Sequence, residues 1–289
     1  MNKEILNLEK TTITILCENR SIGKTGIIGE HGFSALVEKK GDLILMDTGQ
    51  GLGLKANAKV LGIDLSDIRK IVLSHGHYDH TGGLDAFAGQ KDKLYIYAHP
   101  DVFGPKFKSR DEGEKEERFI GLKQSPASLE AHLNAKVRLL TGFTEISNRI
   151  YFSGEIPRVT DFENSDKRLL IRQGAGFVPD PLTDDGALLI ETKSGPVILT
   201  GCAHSGIVNI MHHFSNKTGH KTFHAVIGGT HLGFLNSDDQ LEKTMDAFDH
   251  YQLKLIAVSH CTGNEAAAAC YHRFKERFAF ANAGWQVCF

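Results

Sequence analysis

Two stretches of the chain, far apart in the sequence, share one pattern of apolar runs and turns. Residues 33–49 (FSALVEKKGDLILMDTG) and 186–202 (GALLIETKSGPVILTGC) each contain two β-rich runs joined by a short turn. The second run of each is almost entirely apolar, which predicts a hairpin whose second strand is buried. Aligning Gly41 with Gly195 pairs the two buried runs. The chain is therefore predicted to be an α/β protein with an internal duplication.

The same order of elements is predicted after each hairpin, namely helix, strand, helix and strand. In the first half these elements cover residues 55–61, 70–74, a short helix from Gly82, and 94–98. In the second half they cover residues 207–214, 224–228, 238–250 and 254–259. Ligands of α/β proteins collect where the chain leaves the carboxyl ends of such strands.

Histidines lie at these strand ends. Seven of the 15 histidines follow a predicted strand: His75, His77, His80, His99, His204, His231 and His260. Six others are expected on helix or loop surfaces and are not expected to bind metal: His132, His212, His213, His220, His250 and His272. Imidazole binds transition metals, so the first group predicts a metal site at one edge of the fold.

Composition excludes several classes of protein. A net charge of −2 gives no general attraction to nucleic acid or an anionic membrane, and no apolar run is long enough to span a bilayer. The five cysteines are scattered without CxxC spacing, which indicates reduced thiols. We expect a cytoplasmic protein with a small-molecule substrate and no nucleic-acid or membrane partner. The apolar run 280–289 predicts an edge strand that closes a sheet or pairs across a homodimer.

Residues 101–180 have a different character from the two halves. The stretch 106–118 is densely charged, and 172–185 is rich in Gly, Pro and Asp. Both are typical of exposed loops, with β runs at 136–140 and 149–152 between them. A loop-rich insertion of this length predicts a lid or cap over a site.

The densest motif is His75-Gly-His77-Tyr-Asp79-His80, directly after the predicted strand 70–74. Imidazole nitrogen and carboxylate oxygen suit zinc, iron or manganese. In an extended segment alternate side chains point in the same direction, so His75 and His77 are expected to face one way. Asp79 and His80 are expected on the following turn, where their side chains point to a position close by. The spacing therefore predicts two adjacent metal sub-sites, with zinc as the first choice and manganese or iron as alternatives.

Three motifs resemble those of the metallo-β-lactamase fold superfamily: LILMDTG, LSHGHYDHTGGL and AVSHCTG. The resemblance covers nearly the whole chain and implies a four-layer αβ/βα sandwich, with 1–289 as one domain that carries the insertion 101–180. It also implies roles for individual residues. His75 and His77 would bind a first metal, Asp79, His80 and His260 a second, and Asp47 would orient the cluster without binding metal.

The chain departs from the superfamily pattern at the strand before residue 201. The pattern has a histidine upstream of this strand and a bridging aspartate at its end, whereas this chain has Gly201-Cys202-Ala203-His204. Cys202 takes the aspartate's place, either as a thiolate ligand or as a small buried hydrophobe. His204 is the preferred replacement for the missing histidine, and Asp184 or Asp185 is the alternative.

The resemblance implies hydrolysis by a metal-bound hydroxide at a binuclear site, with Asp79 catalytic as well as metal-binding. The substrate would be a small phosphorylated or ester compound. His231 is a candidate proton donor or substrate contact, and Arg118 and Arg158 are candidate phosphate contacts.

A narrower resemblance gives a second hypothesis. The motifs TGCAHSGIVNI, GGTHLGF and SHCTGNEA are similar to the branch named after the archaeal 7,8-dihydropterin-6-methyl-4-(β-D-ribofuranosyl)aminobenzene 5′-phosphate synthase. This resemblance implies a transferase that joins a dihydropterin to a ribosyl-aminobenzene phosphate. A metal-binding sensor without catalysis is the third hypothesis.

Overall fold

Both predicted hairpins form, and each belongs to a seven-stranded sheet in the computed structural model, which describes residues 10–109, 117–234 and 238–289. The first eight strands in chain order are β1 (Thr11–Cys17), β2 (Ser34–Lys39), β3 (Asp42–Met46), β4 (Lys70–Val72), β5 (Leu94–Ala98), β6 (Lys106–Lys108), β7 (Arg118–Phe119) and β8 (Ala135–Leu139). Those that follow are β9 (Thr144–Ser147), β10 (Ile150–Phe152), β11 (Leu169–Gln173), β12 (Gly176–Pro179), β13 (Ala187–Thr192), β14 (Gly195–Thr200), β15 (Ala225–Gly229), β16 (Leu255–Ser259), β17 (Phe278–Phe280) and β18 (Gln286–Cys288). The α-helices are α1 (Leu54–Leu61), α2 (Tyr78–Thr81), α3 (Pro126–His132), α4 (Ile207–Thr218), α5 (Asp238–His250) and α6 (Asn264–Phe274).

The two large sheets repeat one layout. The first has the order β18-β1-β2-β3-β4-β5-β8, and the second has the order β17-β16-β15-β14-β13-β10-β9. In each, an antiparallel hairpin (β2–β3 or β13–β14) is followed by three strands that run parallel to its second strand. The carboxyl ends of those parallel strands therefore lie along one edge of each sheet.

Apolar contacts arrange the elements in four layers. The inner faces of the sheets meet through side chains such as Val72 of β4 and Val197 of β14. Leu54 of α1 packs on the outer face of the first sheet, and Met211 of α4 and Phe248 of α5 pack on that of the second. The predicted fold class, a four-layer αβ/βα sandwich, is confirmed.

The range predicted as one insertion is divided between three places. Strands β8, β9 and β10 extend the two large sheets. Strands β6, β7, β11 and β12 form a separate four-stranded antiparallel sheet, the cap sheet. The charged stretch 106–118 lies partly outside the described residues.

The last residues contribute to both large sheets. β17 pairs with β16, and β18 pairs with β1 at the edge of the first sheet. β18 therefore covers β1 and is itself the edge strand of the first sheet. Within the described ranges no helix is both long and apolar enough to cross a membrane.

Candidate metal centre

The carboxyl end of β4 leads into the histidine-rich loop, where Asp47 fixes the change of direction. Asp47 accepts hydrogen bonds from the Ser74 amide (2.7 Å) and the Ser74 hydroxyl (2.6 Å). The predicted strand 70–74 therefore ends at Val72, because the Ser74 amide donates to a side chain and not to a neighbouring strand. This turn carries His75 into the space between the sheets, where it is fully buried.

The first sub-site is built from three imidazoles. His75 Nε2 lies 2.9 Å from His77 Nδ1 and 3.3 Å from His204 Nε2. His204 comes from the loop after β14, in the other half of the molecule. The donor atoms of His75, Cys202 and His204 all lie within 4.8 Å of one another.

The second sub-site adjoins the first through Cys202. His80 Nε2 lies 3.2 Å from Cys202 Sγ and 3.3 Å from His260 Nε2, and the three donor atoms again lie within 4.8 Å of one another. Asp79 Oδ2 lies 3.4 Å from His260 Nε2 and 3.9 Å from His80 Nε2. The thiol of Cys202 thus belongs to both donor groups, as a bridging ligand would.

The outward ring nitrogens of three histidines are already hydrogen-bonded. Nδ1 of His75 lies 2.9 Å from Ser74 Oγ, Nδ1 of His80 lies 2.7 Å from Asp47, and Nδ1 of His260 lies 2.8 Å from Asn19 Oδ1. A ring that donates from Nδ1 presents the Nε2 lone pair to the cluster. Lone pairs that face each other at about 3 Å repel unless a cation lies between them, so these residues fit a metal ion.

A model of the metallo-beta-lactamase superfamily matches residues 27–260. The chain belongs to this superfamily. It is also 30% identical, over 98% of each chain, to a protein of Methanocaldococcus jannaschii named 7,8-dihydropterin-6-methyl-4-(beta-D-ribofuranosyl)-aminobenzene-5′-phosphate synthase.

Solved structures agree with the family assignment. Tm1679, described as a metal-dependent hydrolase of the beta-lactamase superfamily, has a TM-score of 0.81 and 28% identity, with 96% of this chain and 98% of that chain covered. Zn²⁺-bound PqqB from Methylobacterium extorquens shares the fold, with a TM-score of 0.55, 10% identity, and coverage of 96% and 99%.

In this superfamily member, burial keeps most of the cluster neutral. Burial lowers the pKa of His77 to about 3 and holds the pKa values of His75 and His204 well below the usual range. His80 differs: burial opposes its charge, but Asp47 and Asp79 raise its pKa to about 9. Neutral imidazole is the form that binds metal. The carboxylates of Asp47 and Asp79 favour a positive charge at His80, which either a proton or a metal ion can supply.

Backbone strain collects at the strand ends that carry the site. Asp47, Ala203, His231 and His260 all have positive φ angles, between 50° and 60°, although none is glycine. Such residues cost about 1–3 kcal/mol each and persist only where the surroundings impose them. All four lie beside or among the metal-site residues.

The two aspartates proposed as alternative ligands form hydrogen bonds that support neighbouring loops. Asp184 accepts from the Gly76 amide (2.8 Å) and from Lys106 (2.8 Å), and Asp185 accepts from the Ser205 amide (2.7 Å). Neither belongs to a donor group found among the described residues. They hold the loops that carry His75, His77 and His204, and His204 stays the predicted nitrogen ligand.

A cavity of about 300 Å³ opens above the cluster. Lys108 and Arg118, paired across β6 and β7 of the cap sheet, line it opposite the histidines. Arg118 also lies over the Tyr78 ring, 5.5 Å from its centroid. His231 lines the same cavity, and its ring centroid lies 4.3 Å from that of His204.

Two residues predicted at strand ends or in the insertion lie elsewhere. The terminal guanidinium nitrogens of Arg158 are buried without a hydrogen-bond partner among the described residues, and Arg158 does not line the cavity. Burial raises the pKa of Glu163, and the charge of Arg158 partly opposes that rise. His99 contacts Glu155 at 3.2 Å and takes no part in the donor groups of the described chain.

Sequence reasoning missed residues that arrive from the loop after β1. Glu18 accepts from the His260 amide (2.6 Å), and Asn19 contacts the His260 ring. His31 lies against Asp79, with its Nε2 atom 3.2 Å from Asp79 Oδ2. These residues do not follow a predicted parallel strand. The other histidines are predicted from their positions at the carboxyl ends of such strands, and that criterion does not identify Glu18, Asn19 or His31.

Proposed function

We propose that this protein is a metal-dependent hydrolase that cleaves a small anionic ester or phosphorylated compound. The observation that carries the proposal is the convergence of donor atoms from both halves of the molecule below a cavity lined by cations. His75, His77 and His204 would hold the first metal, and Asp79, His80 and His260 the second, with Cys202 shared. Bound there, the metal ions would supply Lewis-acid activation of water and of a scissile ester or phosphate.

The cap sheet supports an anionic substrate. Lys108 and Arg118 have no carboxylate partner among the described residues, and both face the cavity that contains Asp79 and His260. An unpaired cation beside a partly enclosed cavity attracts anions. Arg118 would bind phosphate or carboxylate oxygens through its fork of N–H donors, and Lys108 through its ammonium group.

His231 is positioned to contact the substrate. Its amide donates to Cys261 Sγ (3.3 Å), and both ring nitrogens are buried without a partner in the described chain. Burial lowers its pKa to about 4, so the ring is neutral near pH 7 and can donate one hydrogen bond. This favours a substrate contact over a proton donor as the role of His231.

A transferase is the second candidate, on two observations. The full-length similarity to the synthase is one. The other is a larger cavity, of about 770 Å³, that shares His204, His231, Asp166 and Phe234 with the metal cavity. A second substrate, such as the ribosyl-aminobenzene phosphate of the synthase's product, would find room there.

Elemental analysis and a substrate screen test the proposal. We expect two metal ions per chain, zinc first, and hydrolysis of phosphodiester, thioester or lactone substrates. His80→Ala is expected to remove chiefly the second metal. His231→Asn is expected to keep both metals and lose turnover, with His212→Ala, a half-buried histidine of α4 outside the donor groups, as the control.

Two results would contradict the hydrolase, and a third would contradict its metal assignment. Turnover only when two substrates are supplied would establish the transferase. Two bound metals without turnover of any substrate would favour a metal-binding sensor. Full metal content in His80→Ala would contradict the assignment of two sub-sites.

A further inference from the structure

His31 stands on the rim of the second sub-site. Its Nε2 atom lies 3.2 Å from Asp79 Oδ2, and its ring centroid lies 5.3 Å from that of His260. Donor atoms of His31, Asp79 and His260 all lie within 4.8 Å of one another. The side chain of His31 is 55% exposed, whereas Asp79 is buried.

The loop that carries His31 is fixed on both sides. On one side, Gly32 donates to Asn19 Oδ1 (3.3 Å) and Phe33 donates to the Asp79 carbonyl (3.2 Å). On the other, the buried Glu30 carboxylate accepts from the Leu52 amide (2.6 Å). The position of His31 therefore does not depend on its own exposed ring.

Close packing against the metal loop requires glycine after His31. Gly32 has φ +144°, and a Cβ atom there would lie 2.3 Å from the Asp79 carbonyl oxygen. Only glycine lets the two backbones approach this closely. The chain thus brings an imidazole next to Asp79 at a position where a larger neighbour would hold it away.

We propose that His31 is an additional ligand of the second metal, bound through Nε2 beside Asp79 and His260. The inference rests on the metal centre of the proposed function. Zinc ligands lie about 2.0–2.2 Å from the ion, so neighbouring ligands lie roughly 3 Å apart. The separations of 3.2 Å between His31 and Asp79 and 3.4 Å between Asp79 and His260 match that spacing.

The exposure of His31 gives this ligand a distinct role. Among the donors of the second sub-site that the structure describes, His31 alone is exposed, since Asp79, His80, Cys202 and His260 are all buried. An exposed side chain can turn away from a metal more easily than a buried one, even where its backbone is fixed. His31 is therefore the ligand that an incoming substrate would displace.

The experiment measures metal affinity in the full chain after removal of bound metal by dialysis against a chelator. Zn²⁺ is returned in competition with a chromophoric chelator, which resolves two binding steps, and the visible spectrum of the Co²⁺ form is recorded. The variants are His31→Ala and His31→Gln. Glutamine keeps an N–H donor for Asp79 but is a poor metal ligand.

The matched control is His132→Ala. His132 Nε2 lies 3.2 Å from Asp85 and its side chain is 51% exposed, so it reproduces the contact and exposure of His31 away from the cluster. Circular dichroism of the metal-free variants checks that each one folds. Added imidazole tests whether the His31→Ala site can be refilled from solvent.

We expect both His31 variants to weaken the second binding step at least tenfold and to leave the first within twofold. The Co²⁺ spectrum should change, and imidazole should restore it in His31→Ala. Wild-type affinity and spectrum in His31→Gln would overturn the proposal, because a hydrogen bond to Asp79 would then be the whole role of His31. Wild-type protein with two metals but no turnover would contradict the hydrolase alone, whereas fewer than two metals would overturn both.

Discussion

The two halves of the molecule share one strand layout but deliver their metal donors in different ways. The first half places four donors within six residues, 75–80, after the single strand β4. The second half delivers its donors from separate strand ends: Cys202 and His204 after β14, and His260 after β16. The metal donors of the first half can therefore be predicted from a single motif. Those of the second half are far apart in the sequence, and only the fold of the sheet brings them together.

The dense loop of the first half depends on support from outside that half. Gly76, between its first two histidines, donates to Asp184, which precedes β13. Asp184 in turn binds Lys106 of the cap sheet. A substitution in this support should damage the first half's donors and spare those of the second half.

The largest effect is expected for Lys106→Met. Lys106 is 2% exposed and contacts Asp180 (3.0 Å) and Asp184 (2.8 Å), so its loss leaves two buried carboxylates without a cation. We expect the free energy of unfolding to fall by about 3–5 kcal/mol, measured by urea denaturation. Lys136→Met, which removes an exposed pair with Glu130, should cost less than about 1 kcal/mol. Equal losses in the two variants would show that the buried network has no special weight.

The contrast between the halves also explains what the sequence predicted. The parallel strands, the order of helices and the first-half cluster follow from local patterns, because apolar periodicity and motif density are local properties. The bend at Ser74, the supports Glu18 and Asn19, and the position of His31 arise from contacts between distant segments. Arg158 shows the same limit, because it is predicted only as a basic residue in an insertion, and it does not line the cavity above the cluster.

The second prediction concerns the donor that the halves share. Cys202→Ser should weaken both zinc-binding steps about a hundredfold, or about 2.7 kcal/mol, because serine does not supply a thiolate. Cys288→Ser, at an exposed cysteine, should leave both steps unchanged. If only one step weakens in the chelator competition, Cys202 serves a single metal and the sub-sites are not bridged by sulfur.

A companion variant, Cys202→Asp, sharpens this test. It introduces the aspartate that the superfamily pattern carries at this position. We expect two metals to bind with a preference shifted from zinc toward manganese, since carboxylate oxygen is a harder ligand than thiolate. Elemental analysis after exposure to equal zinc and manganese would measure the shift, and an unchanged preference would contradict it.

A smaller effect is expected where the two halves touch. A Cβ atom on Gly201 would lie 2.2 Å from Ser74 Oγ and 2.7 Å from Asp47 Oδ2, so Gly201→Ala must displace the Asp47–Ser74 pair that orients His75. We expect a loss of about 1–3 kcal/mol in urea denaturation, as for other overpacked cores. Gly142→Ala has no atom within 4 Å of its new Cβ and should change stability little. Similar values for the two variants would mean that the pair can move freely.

The smallest effect is expected at His99, which follows β5. It is the histidine whose environment differs between the two halves. β5 in the first half and β16 in the second are each followed directly by a histidine, but His99 contacts the exposed Glu155 whereas His260 faces the metal cluster. His99→Ala should cost about 1 kcal/mol or less, because water can replace an exposed partner, and it should leave metal content at the wild-type value. His260→Ala should lose the second metal under the same elemental analysis. Loss of metal in His99→Ala would mean that the loop after β5 also supports the metal site. The two halves would then both contribute a histidine from this strand end, and the contrast between them would be wrong.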